Sequence, residues 1–225
     1  METELISIVF VHWGMTPERV QLSKQSFESL VETTKHLPVE ILVINNGGKP
    51  DLSSFFLKNP ALITVYIRNQ SNVSFGEARN QGLREAWGDF LAIVDNDLIY
   101  EPGWLESCLL ALKAHPNEKI IASPLEYTDK RASYDAGRLG PYRLNLRAGS
   151  NCFLMRRETW KEVGPFQRHR IAGSLFTDAL VRAGYKTAIA GAGLVKDAGL
   201  RQGYNHKEAV IVKRQLLNGD EISRF

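Results

Sequence analysis

Short apolar runs alternate with helical patterns through the first half of the chain. Residues 6–11, Ile6-Ser7-Ile8-Val9-Phe10-Val11, read as a buried strand. Thr16 then precedes Pro17, the order of a helix cap followed by a residue whose missing N–H costs nothing at the first position. Val20, Phe27, Leu30 and Val31 give that helix one apolar face. Residues 39–44 predict a second strand, stopped by the turn signal Asn45-Asn46-Gly47-Gly48. Residues 63–68 predict a third. Ser74 and Glu77 have capping-box spacing, so a helix should run from there to about Trp87. Phe90-Leu91-Ala92-Ile93-Val94 is a fourth strand, broken off by Asp95-Asn96-Asp97.

The second half is less regular. A helix is predicted over 104–115, a strand over 120–123, a strand over 151–155, a helix over 176–183 and a strand over 187–190. A last amphipathic helix is expected over 207–217. Between them, residues 124–150 form a long irregular stretch dense in Arg, Tyr and Gly, the kind of length that serves as a lid or binding loop. Strands alternating with helices imply an α/β fold: a mostly parallel central sheet flanked by helices on both faces. Ligands of such sheets collect at the carboxyl ends of the strands, where Asn45 and Asp95 fall.

Composition changes this picture little. The chain has 225 residues, 44% hydrophobic and 24% charged, with a net charge of +3, as expected of one ordinary globular domain spanning 1–225. No apolar run is long enough to span a bilayer, and Met1-Glu2-Thr3-Glu4 is acidic where a secretory leader would be basic. A cytoplasmic protein with at most peripheral membrane contact is therefore expected. Cys108 and Cys152 lack metal-ligand spacing and read as reduced core thiols. With no basic helix and no interleaving of aromatic and basic residues, no nucleic-acid partner is expected.

The sharpest chemical feature is Asp95-Asn96-Asp97. Two carboxylates one residue apart at a strand end can hold a hard divalent cation through oxygen ligands. The alternative is a solvated acidic turn.

The stretch from Asn72 to Asp97 resembles the family-2 inverting glycosyltransferases of GT-A fold. It carries Ala78-Arg79-Asn80-Gln81-Gly82-Leu83, then Ala86-Trp87-Gly88, then a strand ending in the Asp-x-Asp motif. The resemblance continues at Gly149-Ser150-Asn151, Arg156-Arg157, Val163-Gly164-Pro165-Phe166, Asp178 and Gly184-Tyr185, and covers residues 5–199 in order. It implies a GT-A fold with a nucleotide-binding half over 1–100 and an acceptor-binding half, closing on the last helix, over 101–225. It also implies transfer from a nucleoside diphosphate sugar, a UDP-sugar favoured, with Mn²⁺ or Mg²⁺. The acceptor is open: a saccharide, a lipid-linked group, a peptide or a small molecule.

Roles follow residue by residue from that resemblance. Asp97 would bind the metal, with Asp95 holding the ribose or sugar, or the metal through water. Asp178 would be the general base, against the alternative of a helix-start residue. Val11, His12, Asn45, Asn46, Arg79, Asp95 and Asn96 make up the implied nucleotide-sugar contacts. For Asn45 and Asn46 a plain turn role is the alternative, for Arg79 a structural salt bridge, and for His12 and its neighbour Trp13 simple packing. Three departures stand out. Asn45-Asn46 replace the family's nucleotide-binding Asp. Thr177 replaces the Glu beside the base. Asp197 stands where relatives carry a metal-binding His, and is either a ligand or part of a surface loop. Arg156, Arg157 and Arg168-His169-Arg170 attract an anionic ligand or are surface charge. A second reading remains, a degenerate GT-A domain that binds a nucleotide-sugar or a protein without transfer. A nucleotidyltransferase is disfavoured, because His12-Trp13-Gly14-Met15 is no Gly-rich basic loop.

Overall fold

The computed structural model describes residues 4–58, 63–125, 135–147, 149–169 and 171–199. The first half follows the expected alternation. It runs β1 (Ile6–His12), α1 (Pro17–Thr34), β2 (Val39–Asn46), a short α2 (Ser53–Phe56), β3 (Val65–Asn69), α3 (Phe75–Glu85) and β4 (Phe90–Asp95). It continues with β5 (Leu98–Tyr100), α4 (Trp104–Ala114), β6 (Ile120–Ser123), β7 (Asp135–Leu139), β8 (Tyr142–Asn145) and β9 (Cys152–Arg156). Last come α5 (Arg157–Val163), α6 (Ala172–Arg182), β10 (Lys186–Ile189) and β11 (Val195–Asp197).

The main sheet has the order β3-β2-β1-β4-β9-β6-β10-β8-β7. Strands β3, β2, β1 and β4 are mutually parallel, and β6 and β10 point the same way. Only β9 and β8 run against their neighbours on both sides. Helices cover both faces, so the central strands are buried twice over, which is why they read as continuous apolar runs. Ile6, Ile8 and Phe10 of β1 pack under α1 and α4. Val9 and Val11, one residue out of phase, pack under α3 and α6.

Helix α1 starts as its sequence predicts: the Thr16 hydroxyl accepts from the Arg19 N–H at 3.4 Å, and Pro17 opens the helix. At Ser74 the capping box is half formed. Its hydroxyl accepts from the Glu77 N–H at 3.3 Å, but the Glu77 carboxylate turns away to Arg84 and Arg168. Helix α6 begins at Ala172, four residues before the predicted start. Its first turn, Ala172-Gly173-Ser174, is small rather than amphipathic, because it is pressed against other backbone. The 124–150 stretch, expected to be irregular, contains the hairpin β7–β8. That hairpin closes the edge of the sheet with its outer strand β7 largely exposed, so it carries too little apolar alternation to be read beforehand. The predicted helix over 207–217 lies outside the described residues. Among those described, no helix is long and apolar enough to cross a membrane. Cys108 and Cys152 are buried and unpaired, and burial raises both thiol pKa values.

Candidate active site

Parallel pairing brings the polar strand ends to one edge of the sheet. His12 is the register partner of Asn45, and Val11 is paired on its two sides with Ile44 and Asp95. Side chains alternate along strands. Asp95 therefore projects toward α3, while His12 and Asn45 project toward α1 and α2.

Asp95 meets a fully buried arginine. Arg79 Nη2 donates to Asp95 Oδ1 at 2.6 Å and to the Ser150 carbonyl at 2.5 Å. The Arg79 guanidinium carbon lies 3.9 Å from the Phe75 ring centroid and 5.0 Å from that of Phe166, a cation–π sandwich. Two further donors, Nε and Nη1, are buried without partners. Arg79 is thus screened from solvent, and its link to any ligand runs through Asp95. Burial outweighs this partner and, with Asp97 and Asp197 nearby, pushes the Asp95 carboxyl up to about 7.

The tip of the motif meets a strand that sequence reading missed. β5 and β11 form a two-stranded antiparallel sheet with Asp197 opposite Leu98. The Ala198 N–H donates to the Asp97 carbonyl at 3.0 Å. A methyl group built at Gly199 would collide with Asp97 Oδ2 and lie 2.9 Å from Asp197 Oδ1, so the two carboxylates flank one small space. Burial first, and Asp197 second, raise the Asp97 carboxyl. No group of three His, Cys, Asp or Glu side chains converges among the described residues. The pair still fits a divalent ion of the Mg²⁺ or Mn²⁺ type, which is held by one or two carboxylates and completed by water and substrate phosphates. Trp13, Arg19, Leu22 and Asn96 line the cleft beside Asp97.

The other expected contacts are drawn inward. Asn46 holds the approach to α3: it donates to Asn72 Oδ1 at 3.1 Å and accepts from Asn69 Nδ2 at 3.0 Å and from the Val73 N–H at 3.1 Å. This network restrains Ser74, the one non-glycine described at positive φ. Asn45 donates to Asp51 Oδ1 at 2.8 Å and to the Tyr66 hydroxyl at 3.0 Å, leaving its own Oδ1 buried and unpaired. The His12 ring is fully buried, its Nδ1 at 2.7 Å from the Ser23 hydroxyl and its Nε2 without a partner. Burial lowers its pKa to about 4, so it is neutral near pH 7. Asp51, which carries Asn45, Ser53 and Arg68, was invisible to sequence reading because it lies beyond the turn signal.

Asp178 lies on α6, and its carboxylate is ion-paired with Arg147. Thr177 beside it is buried and bonds back to the Ser174 carbonyl at 3.0 Å, so it faces the core. Two glycines let α6 come this close. A methyl group at Gly173 would collide with Ser150 Oγ, and one at Gly76 would collide with the Gln167 carbonyl and lie 2.7 Å from Ala172 Cβ. Ser150 therefore touches both Arg79 and the first turn of α6. Most of the remaining arginines are structural. Arg156 caps the end of α4 through the Leu112 and His115 carbonyls, and Arg157 binds the Gly88 and Ala86 carbonyls. Arg168 pairs with Glu77, and Arg170 lies outside the described residues.

With this geometry in view, the chain's relatives fall into one class. The profile of glycosyl transferase family 2 matches residues 20–173, more than half of the chain. The chain belongs to that family. An uncharacterized glycosyltransferase, YwdF of Bacillus subtilis, is 33% identical over 121 residues, which is 52% of this chain and 43% of that protein. Hyaluronan synthase of Pasteurella multocida is 31% identical over 102 residues, 44% of this chain and 10% of that protein. The chain thus spans less than half the length of these relatives. Among solved structures, the mannosyltransferase PcManGT of Pyrobaculum calidifontis, in complex with GDP-mannose and Mn²⁺, superposes with a TM-score of 0.69. It shares 16% identity over 97% of this chain and 65% of that one. The GT-A fold is shared.

Proposed function

We propose that this protein is an inverting glycosyltransferase. It would move a sugar from a nucleoside diphosphate donor, UDP-sugars first, onto an acceptor hydroxyl. The observation that carries this reading is the pair Asp97 and Asp197 flanking one small space, two residues from the Arg79-held Asp95, at the carboxyl edge of a GT-A sheet in a member of this family. The orphaned Asn45 Oδ1 supports the nucleotide side, since a buried acceptor suits an imide N–H such as that of uracil. The neighbour that binds GDP-mannose with Mn²⁺ supports a nucleoside diphosphate sugar with a divalent ion.

Asp97 and Asp197 would hold Mn²⁺ or Mg²⁺, whose contribution is to neutralise charge building on the departing diphosphate. Asp95, oriented by Arg79, would hold the ribose or sugar. Asp178 takes the proton of the acceptor hydroxyl, a poor nucleophile until then. The acceptor oxygen bonds to the anomeric carbon on the face opposite the diphosphate. The old carbon–oxygen bond breaks, its electron pair leaving with the phosphate, and configuration inverts in one displacement.

The test is calorimetric titration with UDP, GDP, dTDP and CDP, with Mn²⁺ and then with EDTA. Metal-dependent micromolar binding of one nucleotide is expected, and Asp97→Ala should abolish it. Asp178→Asn should keep that binding and stop transfer. No binding of any nucleotide would leave a degenerate binding domain as the better reading.

A further inference from the structure

The base assigned above is met by a cation the reaction scheme does not use. Arg147 follows β8 and sets Nη2 against Asp178 Oδ1; the two side chains are 27% and 12% exposed. The same stretch of chain then serves Asp95. The Ser150 carbonyl accepts from Arg79, and the Asn151 carbonyl accepts from the Asp95 N–H at 2.9 Å. Arg147 thus meets the base, and three positions on, the strap Ser150-Asn151 holds the carboxylate that faces the donor. From the other side, α6 lays Gly173 on Ser150. Asp178 follows five residues later, about 7.5 Å along the helix axis.

We propose that Arg147 is the positioning residue of Asp178, holding the base ready for the acceptor hydroxyl beside the strap that carries Asp95. The proposal rests on the reading of Asp178 as base. A cation beside a carboxylate favours its ionised form, which a base needs before the acceptor arrives. Charged groups around α6 include Glu158 and Lys161 of α5, Arg143 of β8 and His169 just before the helix; two carboxylates are engaged elsewhere. Glu77 of α3 is held by Arg84 and Arg168, and Glu162 of α5 by Lys119 and the Tyr185 hydroxyl. Arg182 lies one turn further along α6 itself. Asp178 has further interactions besides Arg147, so the test compares variants rather than absolute values.

The experiment is a carboxyl-carbon NMR titration of the full chain, with Asp178→Asn used to assign the Asp178 signal. In Arg147→Gln the Asp178 carboxyl should titrate about half a pH unit higher than in the wild type, the upward direction expected on losing an adjacent opposite charge that solvent partly screens. Arg147→Lys should restore most of the difference. An unchanged Asp178 titration in a folded Arg147→Gln protein would overturn the proposal and leave a purely structural tie. Release of nucleoside diphosphate from UDP-glucose, UDP-N-acetylglucosamine and GDP-mannose with Mn²⁺, followed against pH, adds the functional readout. The acid limb should move upward in Arg147→Gln, whereas a structural tie would lower turnover equally at every pH. Normal release by Asp178→Asn would instead sink the base assignment, an outcome the NMR result does not depend on.

Discussion

Asp95 and Asp178 sit on either side of one strap and are held in different ways. Asp95 ends a central strand, and its partner Arg79 is fully buried between two aromatic rings with donors to spare. Asp178 rides on a helix laid across the central strands, and its partner Arg147 is more than a quarter exposed. The donor side is therefore set before any ligand arrives. The proposed base side is held by a partly exposed pair, which is weaker. That division suits an enzyme whose donor is chemically fixed and whose acceptor hydroxyl must be met at the right angle.

The contrast is broken most directly by Arg79→Met. Removing one partner of a buried pair strands the other charge, at about 3–5 kcal/mol. For a chain of this size each kcal/mol lowers Tm by about 2–4 °C, so a loss on the order of 10 °C is expected. Metal-dependent nucleotide binding should go with it. Arg147→Gln breaks a partly exposed pair, for which about 1 kcal/mol is the usual ceiling, and should shift Tm by only a few degrees. Equal losses in the two variants would erase the difference drawn between the sites.

A second test uses pH and works on the two faces of the sheet. His12, under α1, has its pKa lowered from 6.5 to about 4 by burial. Between those values the unfolded chain holds a proton that the folded chain lacks. The contribution of His12 therefore strengthens the fold as pH rises and is lost as pH falls through 4. Asp95, toward α3, has its pKa raised from 3.8 to about 7, burial being the largest cause. Over that window the folded chain holds the extra proton, so its contribution is full below 3.8 and is lost as pH rises through 7. Each contribution is at most roughly 1.4 kcal/mol for every pH unit that separates the folded pKa from the unfolded one. Across pH 4.5–6.5 the two oppose one another. Thermal melts of the wild type should vary little with this pair. His12→Gln should show stability falling as pH rises, and Asp95→Asn the reverse. Parallel profiles for the two variants would show that one of these environments is misjudged.

Much of the sheet could be read from sequence, and the reason is physical. Its strands are buried on both faces, so Ile6 to Val11 and Phe90 to Val94 stand out as apolar runs, and whatever polar group ends them is exposed as a candidate. What could not be read was the direction of each polar side chain. Arg79 and Asn46 occupy positions that suggest ligand contact, yet each is consumed by neighbours far apart in sequence: Asp95 and Ser150 for one, Asn69 to Val73 for the other. The pairing of β5 with β11 is equally silent. Both strands are three residues long, and the contact they make spans about a hundred positions, although it alone sets Asp197 beside Asp97. Arg147 lay in a stretch without apolar periodicity, where one arginine cannot be told from another.

The smallest expected effect on stability comes from Gly173, one of the two glycines that seat α6, and there the comparison is sharpened. At Gly76 an added methyl meets the Gln167 backbone carbonyl and Ala172 Cβ. Backbone cannot yield, so Gly76→Ala should cost about 1–3 kcal/mol, the range for overpacking. At Gly173 the methyl meets the Ser150 side chain, whose hydroxyl can rotate while its Cβ, 2.5 Å away, cannot. That reduced clash is offset by up to about 1 kcal/mol of helix propensity gained on replacing glycine. Gly173→Ala should thus melt within a few degrees of the wild type. It should still push α6 away from Ser150 and carry Asp178 with it. Nucleotide binding would then be retained while release of nucleoside diphosphate slows, since misplacing a catalytic group by about an ångström can cost two orders of magnitude in rate. If Gly173→Ala instead weakens nucleotide binding and leaves turnover of bound donor intact, the strap serves the donor side alone, and the base is positioned by α6 without it.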